Sequence, residues 1–327
     1  MNVDVSVYCL AYNHEKYIKK TLDGFVNQTT DFTYEVIVHD DCSTDNTASI
    51  IKAYAIRYPD IIKPVFQKEN KYSKNENITK KYIIPNMSGR YVAICEGDDY
   101  WSDNLKLQYQ YNALQENKKC SFSTHKTQCI NVDGDFIGRS FPPVKLEQGR
   151  ISGRTYIENE LVEHPWLFQT SSYFIRREVF EECINTMTDA FPVGDLPLVL
   201  LASHRGDCFF IDKYMSCYRV DAGGLMAKLR DNTEYATQFY DEMIVGLKEY
   251  DEYTANTYHE IVSHAIGDNK IKKYKITGQY KKIFSEGLTN NFMLMNVPNK
   301  LLIVFGCVFP SITRKLYTLY HSNVRNG

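Results

Sequence analysis

The stretch VSVYCLAYNHEKYIKKTLDGFVNQTTDFTYEVIVHDD, from Val5 to Asp41, holds two apolar runs with a helical repeat between them. Val5 to Ala11 is short, apolar and β-rich, which predicts a buried strand. Ile18, Leu22, Phe25 and Val26 then share one face of a helix. Tyr34 to His39 returns to a strand pattern. Working outward, Ser43 or Thr44 is placed to cap a helix carrying Ile50, Ile51 and Tyr54. Ile61 to Phe66 and Tyr91 to Cys95 read as the third and fourth strands. Strand and helix in alternation predict an α/β domain, a parallel sheet with helices on both faces. Ligands of such sheets sit at the carboxyl ends of the strands. Three polar clusters fall there: Tyr12-Asn13, Asp40-Asp41 and Glu96 to Asp99.

Composition narrows the class. The chain has 327 residues, 43% hydrophobic and 24% charged, which is ordinary for a globular protein that buries a sizeable core. A net charge of −2 gives nucleic acid no electrostatic footprint. Its 25 tyrosines offer flat apolar faces with polar tips, suited to bases and sugars, although most serve as ordinary core and surface residues. Nine cysteines, an odd number without Cys-x-x-Cys pairs, read as reduced thiols of a cytosolic protein, with neither a disulfide framework nor a zinc site. The N-terminus enters a strand pattern directly, so no signal peptide is expected. The longest apolar run, Leu301 to Pro310, is far short of the ~20 residues of a spanning helix. No Gly-x-Gly-x-x-Gly follows the first strand and no Walker loop occurs, so dinucleotide and P-loop chemistry lack their usual signatures.

The acidic clusters carry the chemistry. Asp40 and Asp41 sit side by side at a strand end, in VIVHDDCSTDNT. They suit a ligand with an N–H donor, such as a nucleotide base; they also suit the start of the following helix, beside Ser43 and Asp45. In YVAICEGDDYW, Glu96, Asp98 and Asp99 place three carboxylates within four residues, and Gly97 permits the tight turn. Hard divalent cations want such oxygens, and the apolar strand and Tyr100-Trp101 flanking the cluster argue against a freely solvated turn. Asp195, in FPVGDLPLVLL, begins an apolar helical run, where it reads either as a general base or as a first-turn acid favoured by the helix dipole.

Beyond Ser171 the pattern is mixed. Ser172 to Ile175, Cys208 to Asp212 and Ser216 to Val220 read as strands, with a helix from Leu196 to His204. After Gly223-Gly224 the chain reads as mainly helical, with lysines concentrated from Lys270 to Lys282.

Together these segments resemble the family 2 glycosyltransferases of the GT-A fold, over about the first two-thirds of the chain. VSVYCLAYNHEKYIKKTL resembles the family's opening strand, loop and helix, and EVIVHDDCSTDNT its nucleotide-binding turn. QKENKYSKN resembles the donor-side loop, and GRYVAICEGDDYW the metal-binding segment of a bacterial surface-glycan subgroup. QTSSYFIRREVF and FPVGDLPLVLLASHRG resemble the acceptor-side strand and catalytic-base helix, and YRVDAGG the segment that closes the site. The resemblance implies a mostly parallel nucleotide-binding sheet flanked by helices, with a mainly helical C-terminal region. It divides the chain into a GT-A domain over 1–223, with a nucleotide-sugar half at 1–100 and an acceptor half at 101–223, and a helical region at 224–327.

The resemblance also implies roles. Ala11 and Asn13 line the base and ribose. Asp41, helped by Asp40, takes the N–H of a uracil-like base, and Asn70 lies near the donor. Glu96 sits near the ribose. Asp98, with Asp99, holds Mn2+ or Mg2+ on the diphosphate. Asp195 is the base for the acceptor hydroxyl, and Arg219 supports the diphosphate or the closing loop. The chain departs from the family in having Glu96 where aspartate is usual, and Asp221 where histidine is usual. The expected activity is inverting transfer from a nucleotide sugar, UDP-linked, to a hydroxyl of a glycan carried on lipid or protein. A catalytically inactive sugar- or nucleotide-binding subunit is the competing reading, and a sugar nucleotidyltransferase lacks its Gly-rich phosphate loop. Basic and apolar residues after Lys270 suit either a cytoplasmic protein held reversibly at the inner face of a membrane, or a packed helical subdomain or homo-oligomer interface.

Overall fold

A computed structural model describes residues 3–186, 188–220, 228–229 and 231–314. Contacts divide the chain into two units, Met1–Asp189 with Asp195–Ala222, and Ala190–Gly194 with Gly223–Gly327.

The first unit is built on one ten-stranded sheet with helices against it. Strands β1 (Val5–Ala11), β2 (Tyr34–Asp40), β3 (Ile62–Phe66) and β4 (Tyr91–Ile94) pair in parallel, in the order β3-β2-β1-β4. These are the four strands expected from the sequence. Helix α1 (Ile18–Val26) follows β1, and α2 (Thr47–Arg57) follows β2. Ile18, Leu22 and Phe25, three and four residues apart, are fully buried on one side of α1. The strand order reverses direction at β1, with β2 on one side and β4 on the other. That reversal opens a crevice at the carboxyl edge of the sheet.

The second half of the sheet is mixed. After β5 (Tyr100–Trp101) and α3 (Lys106–Glu116) come β6 (Cys120–Ile130), β7 (Phe136–Phe141) and β8 (Gly149–Ile151). Then follow α4 (Gly153–Glu158), β9 (Phe174–Arg176), α5 (Arg177–Thr186), α6 (Asp195–Arg205) and β10 (Asp207–Arg219). Strand β9 runs antiparallel between β4 and β6, whereas β6 and β10 are parallel. The separate strands expected at Cys208–Asp212 and Ser216–Val220 are one strand, β10. Its register shifts between Ile211 and Ser216 break the alternation that the sequence displays there.

The second unit is helical in its described part: α7 (Thr233–Tyr253), α8 (His259–Thr277), α9 (Lys282–Ser285), α10 (Thr289–Leu294) and α11 (Val297–Val308). The boundary expected at Gly223-Gly224 and the departure at Asp221 lie outside the described residues.

The loops after β1 and β2 are laced together by reciprocal hydrogen bonds. The Asn13 N–H donates to Ser43 Oγ, and the Thr44 N–H returns a bond to Asn13 Oδ1. The His14 N–H donates to Thr47 Oγ1 at 2.8 Å, and the Glu15 N–H to Asp45 Oδ2. Glu15 in turn accepts from the Asn46 N–H. Asn13 adopts φ +56°, a conformation that asparagine tolerates better than most residues. Neither Ser43 nor Thr44 caps α2, contrary to expectation, because both are engaged by Asn13. Asn46 occupies the N-cap position, and Asp45 Oδ1 accepts from the Thr47 N–H. The isosteric change Thr47→Val leaves the His14 N–H without its acceptor. It is expected to lower unfolding free energy by about 1–2 kcal/mol in urea, with an unchanged m-value.

Candidate functional site

The expected site residues lie at the ends of strands, at the start of a helix or in the loops that follow the strands, with Asn13 after β1, Asn70 after β3 and Glu96, Asp98 and Asp99 after β4. Ala11 ends β1, and its carbonyl accepts the Asp41 N–H at 3.0 Å. Asp40 and Asp41 are buried at the end of β2. The Asp41 carboxylate accepts the Lys71 N–H at 2.8 Å and the Tyr72 N–H at 2.9 Å. Asn70 donates to the Asp41 carbonyl and accepts from the Ser73 N–H. Asp41 and Asn70 therefore fasten the 70–73 loop to the sheet edge. Asp40 accepts the Ser43 N–H through one oxygen, while its other oxygen is buried without a protein partner.

The Glu96–Asp99 turn follows β4. Gly97 is required by close approach: a Cβ there would stand 2.7 Å from the His14 ring and 3.1 Å from Ala11 Cβ. Asp99 is buried and accepts the Arg219 N–H at 2.8 Å, whereas Asp98 is half-buried. Glu96 reaches solvent at the start of this turn. Desolvation, then the carboxylates of Asp98 and Asp195, push its carboxyl up to about 8. Desolvation and Asp98 likewise raise Asp99 well above the carboxylate range.

Asp195 opens α6. Its oxygens accept the Thr170 hydroxyl at 3.1 Å and the Leu196 N–H at 2.9 Å. Desolvation raises its carboxyl, and these two bonds partly offset the shift. The charge of Asp195 acts on Glu96, which relates the expected base to the acidic turn although 99 positions of chain separate them.

Arg219 ends β10 and does not present a free guanidinium. It donates to the carbonyls of Asp98 at 3.0 Å, Asn131 at 2.9 Å and Val132 at 3.0 Å, and stacks over the Tyr17 ring. It shapes the acidic turn from behind.

Several participants carry no local sequence signal. The Thr21 hydroxyl reaches the carbonyls of Gly97 and Asp99. The Trp101 indole donates to the Ser171 carbonyl at 3.1 Å, and Gln110 donates to the Ser172 carbonyl at 2.8 Å. These bonds tie the acidic turn to the segment that holds Asp195. Tyr8 of β1 lies within the field of both Glu96 and Asp195. Glu160 is buried, and its carboxylate accepts the N–H groups of Trp166 at 3.2 Å and Leu167 at 3.1 Å. Desolvation, with a smaller contribution from the neighbouring Asp195, pushes Glu160 up to about 8. Trp166 is thereby held at φ +64° with 37% of its surface exposed. Spacing alone marks none of these residues, because each meets its partner through the fold.

Among the described residues, no three His, Cys, Asp or Glu side chains converge into a cage for a metal ion. The donor set still suits a hard cation. Asp98 is accessible, and the crowded like charges around Glu96 are of the kind a cation relieves. Mg2+ commonly binds through one or two carboxylates and completes its shell with substrate phosphates.

Parallel strands ordered 3-2-1-4 with acids along their carboxyl edge define an α/β domain of the kind that binds ligands at that edge, and comparison places it among known proteins. Residues 6–184 match the model of glycosyl transferase family 2, and the chain belongs to that family. It is 33% identical over 229 residues to the uncharacterized protein Rv1520 of Mycobacterium tuberculosis. That match covers 68% of this chain and 60% of the relative, so this chain spans only part of that protein's length. It is 26% identical over 147 residues to WfgD of Escherichia coli, a UDP-Glc:alpha-D-GlcNAc-diphosphoundecaprenol beta-1,3-glucosyltransferase, covering 45% and 54% of the two chains. Among solved structures it resembles residues 1–349 of S. aureus TarS in complex with UDP-GlcNAc. The TM-score is 0.64 at 17% identity, over 98% of this chain and 92% of that one, which shows the shared GT-A fold.

If Arg219 shapes the turn, Arg219→Lys forfeits the fork that joins three carbonyls. Unfolding free energy is expected to fall by about 1.5–3 kcal/mol, read by urea denaturation.

Proposed function

We propose that this chain transfers a sugar from a nucleotide sugar to a hydroxyl of a growing surface glycan, with Asp195 as the general base. The observation that carries the reading is the pair of hydrogen bonds that fixes Asp195 at the start of α6, with its charge and that of Asp98 both acting on Glu96. Desolvation raises the Asp195 carboxyl above its ordinary value, the direction that makes a carboxylate a stronger base. The Thr170 hydroxyl and Leu196 N–H orient it. An acceptor hydroxyl beside Asp195 loses its proton as its oxygen attacks the anomeric carbon and the nucleoside diphosphate leaves. Direct displacement by that oxygen inverts the anomeric centre.

The donor assigned here is a uridine diphosphate sugar. Support comes from the fold shared with TarS bound to UDP-GlcNAc and from Asp41 at the end of β2. Each Asp41 oxygen already accepts one N–H and retains a second lone-pair site for a uracil N3–H. A bound Mn2+ or Mg2+, held by Asp98 and the diphosphate oxygens, would supply charge neutralisation at the leaving group. Asp99, buried on the Arg219 N–H, positions the turn. Trp166 is an acceptor-side platform: φ +64° costs a tryptophan about 1–2 kcal/mol, and Glu160, near Asp195, holds it there with a large face in solvent.

Activity is read as nucleoside diphosphate released from a panel of nucleotide sugars. Excess chelator and Asp98→Ala are each expected to abolish release. Asp195→Asn is expected to keep calorimetric donor binding and lose transfer by ~10²–10⁴-fold. Full turnover in chelator, or an unchanged rate in Asp195→Asn, overturns these assignments. Trp166→Ala is expected to raise the acceptor KM at least about tenfold, while acceptor-independent donor hydrolysis stays the same. A parallel loss of both would make Trp166 a structural residue instead.

A further inference from the structure

Helix α11 is apolar on both sides. Ile303 and Gly306 pack inward, Ile303 in a cluster with Ile271, Tyr274, Tyr280 and Ile283. A Cβ at Gly306 would stand 2.5 Å from the Tyr280 ring, so that inner contact is close. On the other side Val297, Leu301, Val304, Phe305, Val308 and, just beyond the helix, Ile312 are 44–66% exposed. At 100° per residue these six fall within an arc of about 100°, the width of a buried helical stripe. The preceding turn adds Met293 and Leu294, both exposed. Ten of the 21 large apolar side chains exposed in the described chain lie between Phe284 and Ile312. A patch of this kind has an occupant.

The charge around it selects that occupant. Residues 269–327 contain ten Lys and Arg and a single acid, Glu286, in a chain of net charge −2. Lys270 pairs with Glu286 and Lys273 with Asp241, while Lys281, Lys282, Lys300 and Arg314 flank the apolar face in sequence. A symmetric contact between two copies would set this positive region against itself, and like charges oppose it. The chain's own residues 315–327 add Lys315 and Arg325 and no acid, so covering the patch with them neutralises nothing. An anionic lipid surface matches both properties, apolar area and basic charge. At 1.5 Å per residue the 12-residue helix is about 18 Å long, too short to cross ~30 Å of hydrocarbon. No helix among the described residues is long and apolar enough to cross a membrane.

We propose that the outer face of α11 lies in the plane of an anionic bilayer and docks the protein there reversibly. The docking follows from this face alone. Its use, to bring the enzyme to an acceptor carried on membrane lipid, rests on the transferase reading above.

The test is co-sedimentation of the full chain with vesicles of phosphatidylglycerol and phosphatidylcholine, and with phosphatidylcholine alone, at low salt. The full chain is expected to pellet with the anionic vesicles and to be released by salt. The double variant Leu301→Glu/Val308→Glu changes two side chains already about two-thirds exposed, so far-UV circular dichroism should be unchanged. Its partition into anionic vesicles should drop at least about tenfold. Nucleoside diphosphate release in lipid-free solution should match that of the unaltered chain. That lipid-free assay reports the transferase reading separately, so the two ideas fail independently. The docking is overturned by an absence of lipid-dependent pelleting or by pelleting that the double variant leaves intact. A lipid-free dimer that the double variant dissociates would make the face a self-association surface. Pelleting only after removal of residues 315–327 would show the chain's own end covering it.

Discussion

Three carboxylates crowd one turn at the carboxyl edge of the sheet, the charge of a fourth reaches that turn, and the cost of placing them there governs how the edge is built. Glu96, Asp98 and Asp99 come from one turn, and Asp195 approaches from the start of α6. Desolvation raises three of the four, and neighbouring carboxylates add to the shift at Glu96 and Asp99. An arrangement of this kind persists only when the backbone around it has little freedom. The fold supplies that restraint at several points. The Arg219 guanidinium joins the Asp98 carbonyl to the end of β6, and its N–H binds Asp99. Gly97 lets the turn close against His14 and Ala11, and the Thr21 hydroxyl reaches the turn from α1.

The same restraint couples the two halves of the site. The Trp101 ring packs edge-on against Phe25, 4.8 Å between centroids, and its indole holds the Ser171 carbonyl. Lys106 is fully buried with its ammonium over the Trp101 ring and donating to Gln110, and burial pushes it down to about 7. Gln110 in turn binds the Ser172 carbonyl. The neighbouring Thr170 donates to Asp195. The acidic turn and the base are thus connected through packed aromatic and amide groups. On the donor side, Asp41 fastens the 70–72 loop to the end of β2.

Two assignments gain detail once the contacts are known. The resemblance gives Arg219 the diphosphate or the closing loop, and three of its five guanidinium N–H groups bind the carbonyls of Asp98, Asn131 and Val132. Asp41 was expected to meet a base N–H, and each of its oxygens already carries a backbone N–H. Neither feature is visible from spacing, because a side chain's free lone pairs and protons depend on which backbone groups the fold delivers to it. Glu160 and Trp166 went unread for the same reason. A buried carboxylate that holds a tryptophan at positive φ leaves no periodic trace in the chain.

The sequence by itself determined the four parallel strands, the helix after each of the first two, and the polar clusters at their carboxyl ends. Those features follow from local periodicity and from where polar residues interrupt an apolar run, and both are written in neighbouring positions. It also marked Asp195 and the helical, lysine-rich C-terminal region. Only the tertiary structure decided that β10 is one bulged strand, that Asp99 turns inward while Asp98 stays accessible, and that α11 leaves an apolar face uncovered. Each of these depends on partners far along the chain. Burial and hydrogen bonding are properties of assembled surfaces, and a residue type does not specify which surface it will meet.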